Sequence, residues 1–236
     1  MRTMRTLFYF NNYKFFLPSI TASSFVKIQM ISRTPSGTVM GLQGGSIILE
    51  NDTEITFPTN AFVSENGVPY EGEVTVYAHW FNPASDDLAA SMPGDLRGLS
   101  DEAQIVQLST YGMMAVELES SNGLKLQLSD NKKAILNFPI PESLQELAPE
   151  SLPSWSFNEL TFHWEEEGTA QKTNNTYQVE APHFSFWNCD VPYPLVDISG
   201  KLTDADNSVL AFYNICIFSS ENSMTGYGWT DSSGAF

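Results

Sequence analysis

The sequence predicts an all-β fold, an antiparallel β-sandwich followed by a truncated second β module. Three observations lead there. Apolar and polar residues alternate with a period of two in segment after segment, Gly and Asn punctuate the gaps between them, and helical patterning is scarce. Side chains alternate across a strand, so each segment offers one apolar face to a core and one polar face to water.

Taken in order, Val26, Ile28 and Met30 share the first such face, between Lys27 and Gln29. Val74, Val76, Ala78 and Trp80 oppose Glu73, Thr75, Tyr77 and His79. Met114, Val116 and Leu118 alternate with Glu117 and Glu119, and Leu124, Leu126 and Leu128 flank Lys125 and Gln127. Ala134, Leu136, Phe138 and Ile140 form another set, followed by Leu160, Phe162 and Trp164, then Tyr177, Val179 and Ala181. Gly44-Gly45, Asn66-Gly67, Asn122-Gly123, Asp130-Asn131 and Asn174-Asn175 mark turns between strands. Strands at this spacing, with these turns, indicate a sandwich or barrel. Helix is expected only over Asp86–Met92, as one turn, and over Pro141–Ala148, as two turns stopped by Pro149. A βαβ crossover needs about ten or more helical residues, which excludes doubly wound nucleotide-binding folds.

Charge narrows the partners. Acids outnumber bases 28 to 11, for a net charge of −17. The first 33 residues hold Arg2, Arg5, Lys14, Lys27 and Arg33 and no acid, so every carboxylate falls in residues 34–236. With 42% hydrophobic and 13% aromatic residues, the chain is no acidic disordered tail. A carboxylate surface releases no counterions from a polyanion, so nucleic acid is not an expected partner. No run approaches the ~20 apolar residues of a membrane-spanning helix. Asn11, Asn12, Lys14 and Pro18 break the apolar stretch Leu7–Ile20 that a secretion signal would require.

The residues after position 42 carry a resemblance. Gly44-Gly45-Ser-Ile-Ile-Leu-Glu, Thr53-Glu-Ile-Thr-Phe-Pro-Thr-Asn-Ala-Phe62 and Gly72-Glu-Val-Thr-Val-Tyr77 are similar to the module shared by ankyrins and netrin receptors. Ser91–Arg97, Gly112–Leu118, Trp155–Gly168 and His183–Asn188 resemble secreted or surface-anchored Bacteroidota proteins and, more distantly, cartilage intermediate layer proteins. In the tail, Ile198-Ser-Gly-Lys-Leu-Thr-Asp204 through Leu210, then Thr230-Asp-Ser-Ser-Gly-Ala-Phe236, resembles a carboxypeptidase regulatory-like (transthyretin-like) module. The tail departs from that pattern at Asn207, where glycine is usual, and at Val209, where proline is common. Asn tolerates the left-handed region, so the turn should survive.

The resemblance implies an immunoglobulin- or transthyretin-like architecture in three segments. Residues 1–40 would be the remnant of a preceding module or a poorly ordered start, 41–194 the main sandwich, and 195–236 the first half of the transthyretin-like module. Such a half-module would leave strand edges unpaired and one apolar face uncovered. The chain is then expected to be a piece of a longer protein, extracellular or on the cell surface. Its partners would be neighbouring domains of the parent chain and a surface protein or glycan.

Chemistry is thin. His79, His163 and His183 lack the local pairing of metal sites and fall on the wetter faces of their strands. No G-x-S-x-G elbow and no phosphate-binding glycine loop occurs. Cys189 and Cys216 read as separate thiols or as one bridge in an oxidising compartment. Asp86, Asp87, Asp95, Asp101 and Glu102 crowd one connection, and such hard oxygen ligands at short spacing make them the candidate Ca²⁺ set. Phe186-Trp187 could stack a sugar, with core packing and rim cover the expected duties, and Glu165–Glu167 reads as a charged turn before Gly168. Trp155, Phe162 and Trp164 should reinforce the core across one hairpin. The expected function is a non-enzymatic structural or adhesion module. The alternatives are a Ca²⁺- or glycan-binding module and an accessory region beside a hydrolase domain.

Overall fold

The computed structural model describes residues 30–49, 51–218 and 225–236. The set beginning at Val26 lies outside the described residues except for Met30. The chain divides into two compact units, one ending at Pro194 and the other running from Leu195 to Phe236.

The first unit opens with β1 (Gly37–Met40) and β2 (Gly45–Ile48), joined by a tight turn. Gly44 takes φ 68° there, and a Cβ would collide with the Phe57 carbonyl oxygen, so the turn requires glycine twice over. Next come β3 (Glu54–Phe57), β4 (Phe62–Ser64), β5 (Glu73–Phe81) and the single turn α1 (Leu88–Ser91). Then follow β6 (Arg97–Leu99), the long β7 (Ile105–Ser120), β8 (Lys125–Leu128) and β9 (Ala134–Pro139). A 3₁₀ turn over Glu142–Leu144 stands where two helical turns were expected, and Pro141 directly precedes it. Last are β10 (Ser151–Asn158), β11 (His163–Thr173), β12 (Thr176–Ala181) and β13 (Phe186–Pro194).

Hydrogen bonding runs in the order β1-β5-β7-β13-β10-β11-β12-β9-β3-β2. These pairs are antiparallel, whereas β6 lies parallel to β11 while also pairing antiparallel with β7. The two ends of the path, β1 and β2, are consecutive in sequence and are bridged at Met40 and Gly44. The sheet therefore folds back on itself around a core, in agreement with the antiparallel sandwich expected. Ala134, Leu136 and Phe138 of β9 and Tyr177 and Ala181 of β12 are fully buried in that core, each on the predicted face.

A second core lies on the outer face of β5, β7, β13, β10 and β11. Tyr77, Phe81, Met113, Ala115, Trp155, Phe157, Trp164 and Phe186 pack there with Met92 from the 82–104 connection. Hence β5 and β7 bury both faces. Tyr77, expected on the wet side, is buried in this second core, with the Arg33 guanidinium 3.6 Å from its ring centroid.

Two other expectations are corrected. Leu160 and Phe162 do not belong to a strand with Trp164. They form the β10–β11 turn, where Leu160 is 90% exposed and Phe162 takes φ 59°. Asn158 drives that turn, since its Oδ1 accepts the Leu160 and Thr161 N–H groups. Glu165–Glu167 are not a turn but the interior of β11. The strand continues past them through a bulge, with Gly168 at φ 90°.

In the second unit, β14 (Asn214–Phe218) pairs with β15 (Thr225–Trp229), and Lys201–Ala235 and Thr203–Val209 form isolated bridges. Asn207 adopts φ 63°, as expected of a residue in place of the turn glycine. The Asp204 carboxylate accepts the Asp206 and Ser208 N–H groups at 2.9 and 2.8 Å. Asp231 repeats the device, accepting Ser233 and Ala235 N–H with Gly234 at φ 77°. Apolar burial is slight here: Val209, Phe212, Tyr213 and Trp229 all stand exposed.

Trp164 is the clearest test of the second core. It is fully buried, its ring lies 5.2 Å from that of Phe157, and its indole N–H donates to the Asp95 carbonyl at 3.0 Å. Trp164→Ala should lower unfolding free energy by about 3–5 kcal/mol, read by urea denaturation with an unchanged slope.

Candidate functional site

The acids proposed for Ca²⁺ are spread along the 82–104 connection. Asp87 caps α1 and its carbonyl accepts the Ser91 hydroxyl at 2.9 Å. Asp95 is taken by Arg97, whose Nε and Nη2 both lie 2.8 Å from Oδ2. Asp101 engages through its backbone N–H, which donates to Glu166. Asp86 and Glu102 sit exposed in turns. Among the described residues, no group of three or more His, Cys, Asp or Glu side chains is placed to hold a metal ion.

The aromatic pair suggested for sugar stacking is core. Trp187 is fully buried and Phe186 is 6% exposed, so neither ring presents a face to a ligand. This agrees with the core packing expected of the pair: β13 is buried on both faces here, and the two rings enter separate cores.

The structure does assemble one partly exposed polar cluster. Glu167 Oε2, on β11, lies 2.9 Å from His183 Nε2 and accepts the Ser156 hydroxyl at 2.9 Å. The His183 ring packs on Trp187, whose indole N–H donates to the His183 carbonyl at 3.0 Å. Hydrogen bonding from His183 holds the Glu167 carboxyl below the usual carboxylate range, against the opposing effect of burial. The order of the bonds decides the chemistry: the serine donates to the carboxylate rather than to the imidazole. The histidine is thus not placed as a base toward the hydroxyl, which nucleophilic catalysis requires. Of the other histidines, His163 Nδ1 meets the Thr161 carbonyl at 2.9 Å. His79 is half-buried against Phe81, and burial lowers its pKa.

A second polar group is buried outright. Asn188 and Asp190, both 0% exposed, project from β13 beside Thr110 of β7. Thr110 Oγ1 donates to Asn188 Oδ1 at 2.6 Å, and Asn188 Nδ2 donates to Asp190 Oδ2 at 2.6 Å. Burial drives the Asp190 pKa well up, although the Thr110 and Asn188 hydrogen bonds oppose it. Its Oδ1 is buried without a hydrogen-bond partner among the described residues. The sequence reading did not single out this row. Its signal was two polar residues at i and i+2 inside an apolar strand, which places both on one buried face.

Cys189 is a fully buried thiol and Cys216 a half-buried one, both free. A small pocket beside β7 and β8, lined by Val116, Leu126, Phe184 and Phe186 among others, encloses about 40 Å³. No helix among the described residues is long and apolar enough to cross a membrane.

These features define an antiparallel β-sandwich unit with two apolar cores and polar clusters engaged internally. In sequence it is similar to cartilage intermediate layer proteins. It is 30% identical to mouse cartilage intermediate layer protein 1 over 128 residues, which is 52% of this chain and 10% of that protein. Identity is 31% over 118 residues to the pig protein of the same name, 49% of this chain and 19% of that sequence. To human cartilage intermediate layer protein 2 it is 32% over 117 residues, 48% of this chain and 10% of that protein. The match thus spans only a tenth to a fifth of these curated relatives. No protein-family model matches the chain. No solved structure matches it either.

Two outcomes follow from the site. A carboxyl whose folded pKa lies below its unfolded value contributes stability above the unfolded pKa of ~4.3, and that stability is lost as pH falls through the folded pKa. Glu167→Gln should therefore be less stable than the parent chain at pH 6, by a few tenths to about 1 kcal/mol for so exposed a pair. The difference should close by about pH 3 in denaturation curves taken across that range. Because Asp95 is occupied by Arg97 and the other acids stand apart, excess Ca²⁺ and chelator should give the same Tm. A rise of several degrees with Ca²⁺ would show that the connection rearranges around the ion.

Proposed function

We propose that this chain is a non-enzymatic structural or adhesion module of a larger extracellular or cell-surface protein. The observation that carries the reading is the match itself: half of this chain aligns with a segment forming about a tenth of cartilage intermediate layer proteins 1 and 2. A stretch that recurs inside much longer chains behaves as a portable unit. The internal engagement of the polar side chains supports the same reading, since the Glu167 cluster and the Asp190 row have no open pocket between donor and acceptor.

The finer assignment rests on the resemblances in the sequence. Residues 42–190 would be the sandwich of a Bacteroidota-type surface protein, and residues 195–236 the opening of a carboxypeptidase regulatory-like module whose partners are the neighbouring domains of the parent chain. The exposed Val209, Phe212 and Trp229 suit a surface that another domain covers.

Protease shaving of intact source cells, with the culture medium analysed alongside, tests the location. The chain should be found in the medium or be removed from cells without lysis; protection until lysis would overturn the reading. Assays of the full chain on peptide, ester and glycoside substrates test the activity. No turnover is expected, and turnover abolished by His183→Ala in a folded variant would make the protein an enzyme.

A further inference from the structure

The Thr110–Asn188–Asp190 row brings a half-buried hydroxyl against a primary amide and a carboxyl that are both 0% exposed. Thr110 lies on β7 and the other two on β13, adjacent strands in which Thr110 pairs with Asp190 across the bulge at Cys189 and Asp190. The Gly112 N–H donates to Thr110 Oγ1 at 3.3 Å and holds the hydroxyl in place. On the other side, the Trp155 indole N–H donates to the Asp190 carbonyl at 3.2 Å and closes the row. We propose that this row forms an intramolecular ester between Thr110 and Asn188, a covalent cross-link between β7 and β13 made by the protein on itself.

The reactants already touch. A carbonyl bond is ~1.23 Å long, so Oγ1 at 2.6 Å from Oδ1 stands within about 3.8 Å of the Asn188 Cγ, close to the ~3–3.5 Å of a reactive approach. Two strands of one sheet hold the groups at effective molarities that reach ~10⁵–10⁸ M in favourable cases. The reaction balances without any added reagent. Thr110 Oγ1 bonds to Cγ, the Cγ–Nδ2 bond breaks, and the nitrogen departs as ammonia with its own two hydrogens and one more. That third proton comes from Asp190, which takes the threonine proton in exchange and ends as it began. Asp190 is suited to this relay because Oδ2 already contacts the departing nitrogen at 2.6 Å and burial favours its protonated form. Asn188 is 0% exposed, so the ester carbonyl would be shielded from water. The inference goes beyond the module reading and does not depend on it, since the chemistry is the same wherever the protein resides.

Intact mass spectrometry of the purified full chain decides it. The expected mass is one ammonia below that of the sequence, and peptide mapping should find the segments bearing Thr110 and Asn188 joined by a bond that hydroxylamine cleaves. Thr110→Val removes the nucleophile and should restore the full mass. Thr110→Ser, which keeps the hydroxyl, should again lose ammonia, separating lost chemistry from a damaged fold. A wild-type chain of full sequence mass overturns the proposal. So does an ammonia loss that survives in Thr110→Val, which would place the change at a succinimide in an Asn-Gly turn instead.

Discussion

One strand, buried on both faces over Tyr111–Val116, sets the rest of the first unit. Ile105–Ser120 pairs with β5, β6, β8 and β13, and its alternate residues enter two different cores. Met114, Val116 and Leu118 fill the inner core, while Met113 and Ala115 fill the outer one. Because strand periodicity is two, a slip of one residue would exchange the two sets. In an ordinary half-exposed strand that error exposes apolar surface. Here it would also force Leu118 and Val116 into space shaped for Ala115, so packing volume adds to the hydrophobic penalty. The register of β5 and β13 follows from that of β7.

Two-sided burial explains which parts of the fold were legible beforehand. β9 and β12 each bury one face, and their alternating residues were assigned correctly from the pattern alone. β5, β7 and β13 bury both faces, so their apolar residues run together and alternation loses its meaning. Tyr77 was misplaced for that reason. Leu160 and Phe162 failed differently. The oily alternation ran on by chance through a turn that Asn158 initiates by hydrogen bonding, and local polar chemistry overrode periodicity. The Glu165–Glu167 run reads as a turn only if a strand is assumed to end at Gly168, whereas glycine in a strand also permits a bulge.

The polar clusters were less legible still. Ser156, Glu167 and His183 sit on three different parts of the chain and meet only after β10 and β11 have paired and the chain has returned at β13. The five acids of the 82–104 connection, by contrast, are near one another in sequence and do not gather, because the connection is pulled flat. Its Arg97–Leu99 strand is pinned between β7 and β11, and Leu88, Leu96 and Met92 face the outer core. Carboxylates on a segment anchored by its apolar residues point outward and apart, so proximity in sequence carried little information about proximity in space.

The same outer core gives the Thr110–Asn188–Asp190 row its significance. Burying the Asn188 and Asp190 side chains is costly unless each is fully bonded, and Asp190 Oδ1 is not. Apolar side chains of the same volume would fill this space without that penalty. Nor is the row needed to specify register, which the unequal volumes along β7 already impose. Stability and specificity thus leave the three residues unaccounted for, whereas a reaction among them requires this set: a nucleophile, an electrophilic amide and an acid whose protonated form burial favours, held at hydrogen-bond distance.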